Sequence, residues 1–275
     1  MSEQFKLKTI DQERKELFKH TTLLINAGGR GTRLEPIMGS DPKSGITKAL
    51  IEMNGETLLD YHLKHAAKLG YKNVVVSAGD HENIKDHVAG KEYGLAINTL
   101  LVGEQKGTGG DLIEAVKSEP DLGENIIVQN VDSFVLLDEG ALLEQHEQSG
   151  MLATIVLTRR RGVPNENAWF INGDNVVVKT LEDGSNQGEA QTDDLHRASS
   201  TGIVVFNTQW LRQYEIESDE PISIYSAMLP QLIKERKLGA YENDESLFYD
   251  IGTPQNFQKT VANPAFAKAL EKYYL

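Results

Sequence analysis

The sequence predicts an α/β fold: a Rossmann-like, doubly wound, mostly parallel sheet with a strand-rich elaboration in its second half. Two patterns predict it. Short apolar runs such as Leu23-Leu24-Ile25, Val74-Val75-Val76 and Ile126-Ile127-Val128 read as buried strands, and stretches of helical periodicity separate them. Glycine clusters and an aspartate follow such strands: Gly28-Gly29-Arg30-Gly31, then Gly107-Thr108-Gly109-Gly110, then Asp132. In a doubly wound sheet ligands bind beyond the carboxyl ends of the strands, so these three features should gather at one edge.

In chain order, Thr9 and Gln12 have capping-box spacing and Leu17 and Phe18 supply an apolar patch, predicting a helix over 9–19. Residues 22–27 form the first strand, and the glycine turn follows. Glu35 to Thr47 carries Pro36, Gly39, Pro42 and Gly45, a density of turn formers that predicts a loop. Ala49 to Met53 reads as a short strand ended by the Asn54-Gly55 turn. Leu58, Leu59, Leu63, Ala66, Ala67 and Leu69 recur with helical spacing, and Gly70 stops that helix. Strands at 74–78 and 95–101 flank a short helix at 81–89. A helix opens at Gly107, and a strand at 126–130 ends at Val131-Asp132-Ser133.

The second half holds predicted strands at 153–157, 168–171, 175–181 and 202–206, with a hairpin-like turn at Asn172-Gly173-Asp174. Residues 183–199 are polar and predicted as loop. Residues 223–236 read as a helix, 248–254 as a strand end and tight turn, and 255–274 as a helix interrupted near Pro264. No internal repeat and no clean linker occur. The expected organisation is therefore a helical extension over 1–20 and a single domain over 21–275, divided into halves at 21–150 and 151–260 and closed by a C-terminal helix at 255–275.

Composition narrows the chemistry. Lys and Arg number 28 against 41 Asp and Glu, a formal charge of −13, so general affinity for nucleic acid or an anionic membrane is not expected. An anionic substrate must instead meet a local cluster of cations. The absence of cysteine excludes disulfides, thiolate metal sites and a cysteine nucleophile. The first residues lack the apolar core of a signal peptide, and no apolar run approaches the length of a membrane span, so cytoplasm is the expected compartment.

The turn Gly28-Gly29-Arg30-Gly31-Thr32-Arg33-Leu34 could cradle phosphate with its backbone N–H groups while the arginines add charge. It is neither of the common phosphate fingerprints. No Gly-x-x-x-x-Gly-Lys-Ser/Thr occurs, and Leu34 stands where a dinucleotide fingerprint needs its third glycine.

With Lys48-Ala49-Leu50-Ile51 behind it, this turn resembles the Gly-Gly-x-Gly-Thr-Arg-Leu and Pro-Lys-x-Leu segments of the sugar-1-phosphate nucleotidyltransferases, or NDP-sugar pyrophosphorylases. Further segments are similar to that family in its own order: Asn54 to Tyr61, Gly107 to Gly110, Asn130-Val131-Asp132-Ser133, Ser200 to Phe206, and Asp250-Ile251-Gly252-Thr253-Pro254. The likeness spans residues 22–260 and looks nearest to the guanylyltransferases for mannose or manno-heptose 1-phosphate, with uridylyl, thymidylyl and cytidylyl transfer open.

The resemblance implies a Mg²⁺-assisted transfer of a nucleotidyl group from an NTP to a sugar 1-phosphate, the second half being the sugar-binding elaboration. It implies roles residue by residue. Arg33 would face the β- and γ-phosphates and the departing pyrophosphate, and Lys48 the phosphates around the α-phosphorus. Lys43, which does follow a proline, is the rival or partner of Lys48. Ala27, Gly28, Gly29, Gly31 and Thr32 would wrap the nucleotide, with Gln105, Gly107, Thr108 and Gly109 near base or ribose. Asp132 and Asp250 would hold the metal. Asp132, Glu182, Thr201 and Gly202 would line the sugar side, and Asn165, Asn167 and Trp169 lie in a loop that could cover it.

Four departures from the pattern stand out: Thr47 replaces the proline before the lysine, Val131 replaces the glycine before the aspartate, Asp183 replaces the lysine after Glu182, and Ser200-Thr201 replaces Asn-Ala. They motivate a second hypothesis, a catalytically silent subunit that binds a nucleotide sugar and regulates a partner. An NAD-dependent dehydrogenase is a third, weakened by Leu34. Expected partners are an NTP and a sugar 1-phosphate, with a second copy of the chain, as a homo-oligomer, a further candidate.

Overall fold

Strict alternation along the central strands decides the layers. Leu23, Ile25, Val74, Val76, Ile127 and Val205 enter one core cluster, while Leu24, Val75, Ile126, Val128, Val204 and Phe206 enter another. Successive strand residues face opposite sides, so one sheet is buried on both faces. The structure, a computed structural model, describes residues 12–29, 31–38, 47–102, 106–159, 168–181, 195–216, 220–244 and 247–275.

The elements run as follows: α1 (Gln12–Lys19), β1 (Thr21–Asn26), a 3₁₀ turn at Thr32–Leu34 leading into α2 (Glu35–Met38), and a second 3₁₀ turn at Lys48–Leu50. The hairpin β2 (Glu52–Met53) and β3 (Glu56–Thr57) precedes α3 (Leu58–Leu69), β4 (Asn73–Gly79), α4 (Glu82–Ala89) and β5 (Ala96–Leu101). Then come α5 (Gly107–Ser118), β6 (Asn125–Asn130), β7 (Ser133–Val135), α6 (Glu139–Ser149) and β8 (Ala153–Thr158). They are followed by β9 (Trp169–Ile171), β10 (Val177–Thr180), β11 (His196–Asn207), α7 (Thr208–Gln213) and a π-turn at Ile224–Met228. The chain ends with α8 (Leu229–Lys234), β12 (Leu238–Asn243), β13 (Phe248–Asp250), α9 (Pro254–Val261), α10 (Pro264–Ala269) and a π-turn at Leu270–Tyr274.

Among the described residues the main sheet has nine strands: the path β10-β9-β11-β6-β1-β4-β5, with β8 paired to β11 and β12 paired to β8. β6, β1, β4 and β5 are mutually parallel, as the alternation of strands and helices predicts. β11 runs antiparallel to β6, β8 and β9, so this one strand belongs to both halves of the chain. A separate antiparallel pair, β13 with β7, sets Asp250 opposite Ser133. No described helix is long and apolar enough to cross a membrane.

Several expectations need correction. The predicted strand at 49–53 is a 3₁₀ turn with only Glu52–Met53 extended, and the predicted loop from Glu35 begins with helix α2. The loop predicted over 183–199 gives way to strand from His196 onward. There Arg197 and Ala198 pair with β9, and cross-strand pairing overrides the polar composition. β7 and α6 were not anticipated. The cap of α6 is Asp138, whose carboxylate accepts from the Ala141 N–H at 3.0 Å. Thr9 of the proposed capping box lies outside the described residues.

Candidate active site

β1 has β4 on one side and β6 on the other, so the chain switches direction across the sheet at β1. A crevice opens beyond the strand ends at such a point. The turn that leaves β1 there can only be glycine at its start. A Cβ on Gly28 would lie 2.3 Å from the backbone nitrogen of Gly79, where β4 ends. Gly31 adopts φ 63°, in the left-handed region, and opens the 3₁₀ turn. In that turn Leu34 is buried as the anchor while Thr32 and Arg33 stay exposed.

The result is a cleft of about 440 Å³ lined by Gly28, Gly29, Gly31, Thr32 and Arg33, by Lys48, by Gly107 and Thr108, and by Asp132 and Gly252. The three features expected at one edge do meet. Lys48 reaches in from its 3₁₀ turn and donates to Asp132 Oδ2 at 3.0 Å. Its Nζ also lies 3.4 Å from where a Gly29 Cβ would sit, so the ammonium lies against the glycine turn.

Asp250 arrives through the β7–β13 pair. Ile251 N–H donates to the Asp132 carbonyl at 3.0 Å, tying the two acidic turns together. Asp132 Oδ2 and Asp250 Oδ1 lie 3.0 and 3.1 Å from the position a Gly252 Cβ would take, so both carboxylates converge on one bare backbone. Asp250 is oriented by the Gly252 N–H and by the Asn256 side-chain amide, each at 2.9 Å. Among the described residues no group of three or more His, Asp or Glu is arranged to hold a metal. Two convergent carboxylates fit a hard cation that takes its remaining oxygens from water and substrate phosphate.

Support for Asp132 comes from a residue that sequence reasoning missed. His62, wholly buried, donates from Nε2 to the Val131 carbonyl at 3.1 Å, and Gln129 donates to its Nδ1 at 3.2 Å. Burial pushes the His62 pKa down to about 4, which keeps this neutral tautomer in place at pH 7. Val131 itself is buried in the core and does not line the cleft, so its branched side chain adds no bulk there. Leu34, Asn26, Asn130, Gly79, Val102 and Asp111 complete the lining. Sequence reasoning missed Asn26, whose signal is a polar end to an apolar strand, and Asp111, which carries none, being one charged residue on a helix. Asp111 accepts from Ser77 Oγ at 3.2 Å, and burial pushes its carboxyl up against the opposing pull of Ser77 and Lys106.

Other expected site residues lie elsewhere. Ala27 is buried in the core and its N–H is committed to the Ser77 carbonyl. The Gly109 N–H is committed to the Ile222 carbonyl at 2.8 Å. Thr201 is buried and its hydroxyl donates to the Val156 carbonyl at 2.9 Å. Gly202, at φ 87°, packs against Asn130 and Ser133 beside the Asp132 turn. Trp169 is not in a covering loop: it starts β9, is fully buried and meets Tyr225 edge-on. Arg30, Lys43, Gln105, Asn165, Asn167 and Glu182 lie outside the described residues.

Comparison with known proteins bears on the family and the fold. The D-glycero-α-D-manno-heptose 1-phosphate guanylyltransferase of Aneurinibacillus thermoaerophilus is 25% identical over 239 residues, covering 86% of this chain and 95% of that protein. The mannose-1-phosphate guanyltransferase of Pichia angusta is 28% identical over 241 residues, covering 85% of this chain and 61% of its own length. The chain thus spans about three fifths of the mannose-type relatives it matches. Among solved structures, HddC from Yersinia pseudotuberculosis complexed with GMP-PN superposes with a TM-score of 0.66 at 22% identity, covering 90% of this chain and 99% of that one. This likeness shows the shared fold. The sequence match is what extends to the family: residues 23–265, from the glycine turn's strand to past the second acidic turn, fit the nucleotidyl transferase family, and the chain belongs to it.

Proposed function

We propose that this protein transfers a nucleotidyl group from an NTP to a sugar 1-phosphate, giving an NDP-sugar and pyrophosphate. The observation that carries the reading is the one cleft in which the glycine turn, Arg33, Lys48 and Asp132 meet. In the reaction a phosphate oxygen of the sugar phosphate bonds to the α-phosphorus as the bond to the β-phosphate oxygen breaks in line. Pyrophosphate leaves with the electron pair. Two polyanions must be held together by a chain of net charge −13, so the local cations decide the chemistry.

The Gly28, Gly29 and Gly31 backbone cradles the triphosphate, with Thr32 beside it. Arg33, exposed on the cleft wall, takes the β- and γ-phosphates and the leaving group. Lys48, already held at the glycine turn by Asp132, moves its charge onto the phosphates around the α-phosphorus, and Lys43 is a candidate second contact. Asp132 and Asp250 are the residues that would hold Mg²⁺, which when bound neutralises phosphate charge. Gly107 and Thr108 lie on the nucleoside side. Glu182 and Gly202 stay candidates on the sugar side, Thr201 only through its backbone, because its hydroxyl is committed.

Relatives named as mannose and manno-heptose 1-phosphate guanylyltransferases, and a fold neighbour complexed with GMP-PN, favour GTP and a manno-configured sugar phosphate. Cytoplasm is the proposed compartment. The test is a matrix of five NTPs, dTTP among them, against a panel of sugar 1-phosphates, with pyrophosphate release as readout. Mg²⁺-dependent release with GTP and a manno-type phosphate is expected. Nucleotide-sugar binding without release from any pair would replace this reading with that of a silent regulatory subunit.

A further inference from the structure

We propose that Asp111 reads the nucleobase and that the base it selects is guanine. The proposal rests on the cleft being a nucleotide site. Asp111 follows Gly107 by one turn of α5, and both line the cleft together with Gly79 and Val102. Both line one cleft, so the carboxylate opens onto the space that the Gly107 backbone borders.

Asp111 is not consumed by a structural pair. Ser77 donates to its Oδ2, and Oδ1 has no hydrogen-bond partner among the described residues. Lys106, the adjacent cation in sequence, donates instead to Glu114 at 2.9 Å. A carboxylate that lines the cleft and takes no hydrogen bond from a cation repels a triphosphate, even with Lys106 near enough to pull on it, and the phosphate-seeking groups Arg33 and Lys48 lie on other elements. What Asp111 faces must therefore donate hydrogen bonds, which leaves base or ribose.

The walls favour the base. Gly79 and Gly107 border the cleft with backbone alone, since the places their side chains would take are filled by the Gly28 and Ile222 backbone, and Val102 is apolar; such walls suit a flat ring. Guanine alone among the common bases sets two donors side by side, the N1–H and the 2-amino group, matching two carboxylate oxygens. Adenine and cytosine place an amino group next to an unprotonated ring nitrogen. Uracil and thymine place one N–H between two carbonyls. Each would turn a lone pair toward Asp111, and burial makes that mismatch costly.

Equilibrium binding of GTP, ITP, XTP, dGTP and ATP to the wild type and to Asp111→Asn tests this. ITP lacks the 2-amino group, and XTP has a carbonyl oxygen in its place. The wild type is expected to prefer GTP over ITP by about tenfold or more, and Asp111→Asn to bind GTP about ten- to a hundredfold more weakly, the worth of a charge-assisted hydrogen bond. The variant should gain affinity for XTP, because an amide offers an oxygen to N1–H and an N–H to the new carbonyl. Misfolding cannot produce that gain. Unchanged ratios among GTP, ITP and XTP would overturn the proposal. So would a GTP-to-dGTP preference that collapses in the variant, which would put Asp111 on the ribose. A wild type that binds no NTP would overturn the nucleotide reading itself, and this one with it.

Discussion

Asp60 and Asp132 each accept from a lysine, at 2.7 and 3.0 Å, yet only Asp132 faces a cleft. Asp60 sits at the start of α3, wholly enclosed. It accepts from Lys91, from His87 at 2.9 Å, from Tyr93 and from the Thr57 N–H, and it completes the capping box of that helix. Every lone pair is used. Asp132 has the Lys48 ammonium as its partner, a second carboxylate converging on Gly252, and an open side. The first arrangement spends charge on fixing a helix; the second holds charge ready for a ligand. The difference teaches that saturation, more than burial, separates a structural carboxylate from one poised for chemistry.

The largest effect comes from breaking the saturated site. Asp60→Ala should cost about 3 kcal/mol of stability, the low end for removing one partner of a buried pair, because Lys91 is left in contact with water. Urea unfolding reads this, while turnover per folded molecule should stay near the wild-type value. The cost should depend on pH. Burial pushes the Asp60 carboxyl up, but the hydrogen bonds from Lys91, Tyr93, His87 and the Thr57 N–H outweigh it and hold the group well below its ordinary value. Its contribution is therefore full above the unfolded carboxylate value of about 4 and is lost as pH falls toward the folded one. The stability gap between wild type and variant should narrow below pH ~4. A gap that is constant with pH would mean that lost packing, not charge, is what the variant removes.

The poised site should answer in the opposite way. Asp132→Asn and Lys48→Ala should each lower turnover at least about a hundredfold, the loss expected for one electrostatic stabiliser, while costing less stability than Asp60→Ala because the cleft leaves the remaining group within reach of water. Equal losses of turnover and stability would erase the contrast between the two sites. Near-normal turnover in Lys48→Ala with collapse in Lys43→Ala would move the phosphate contact into the segment before Thr47.

How legible these two sites were follows from how local their causes are. The glycine turn, Lys48 and Asp132 stand beside turn signals and apolar strands, and the switch-point rule sends such residues to one edge, which Asp250 reaches through the separate β7–β13 pair. The parallel strands were readable because burial on both faces demands near-continuous apolar runs. Asp60, His62 and Asp111 were not readable as a structural anchor, a support and a cleft group. Each sits on a helix where a polar residue is ordinary, and its partners are far apart in sequence: Asp60 with Lys91, His62 with Val131, Asp111 with Ser77. The polar first part of β11 escaped for a related reason, since its partner strand β9 had to exist first.

The smallest effect sharpens the comparison most, because it removes a lysine from the saturated site as Lys48→Ala does from the poised one. Lys91 has a side chain 43% exposed, whereas that of Lys48 is 16% exposed. Lys91→Met keeps the aliphatic stem and leaves Asp60 with His87, Tyr93 and the Thr57 N–H. A partly exposed ion pair is worth about 1 kcal/mol or less, so the variant should lose no more than that and keep full turnover. A loss near that of Asp60→Ala would show that Lys91 alone neutralises the buried charge. The redundancy that makes Asp60 structural would then be absent, and the two sites would differ in exposure only.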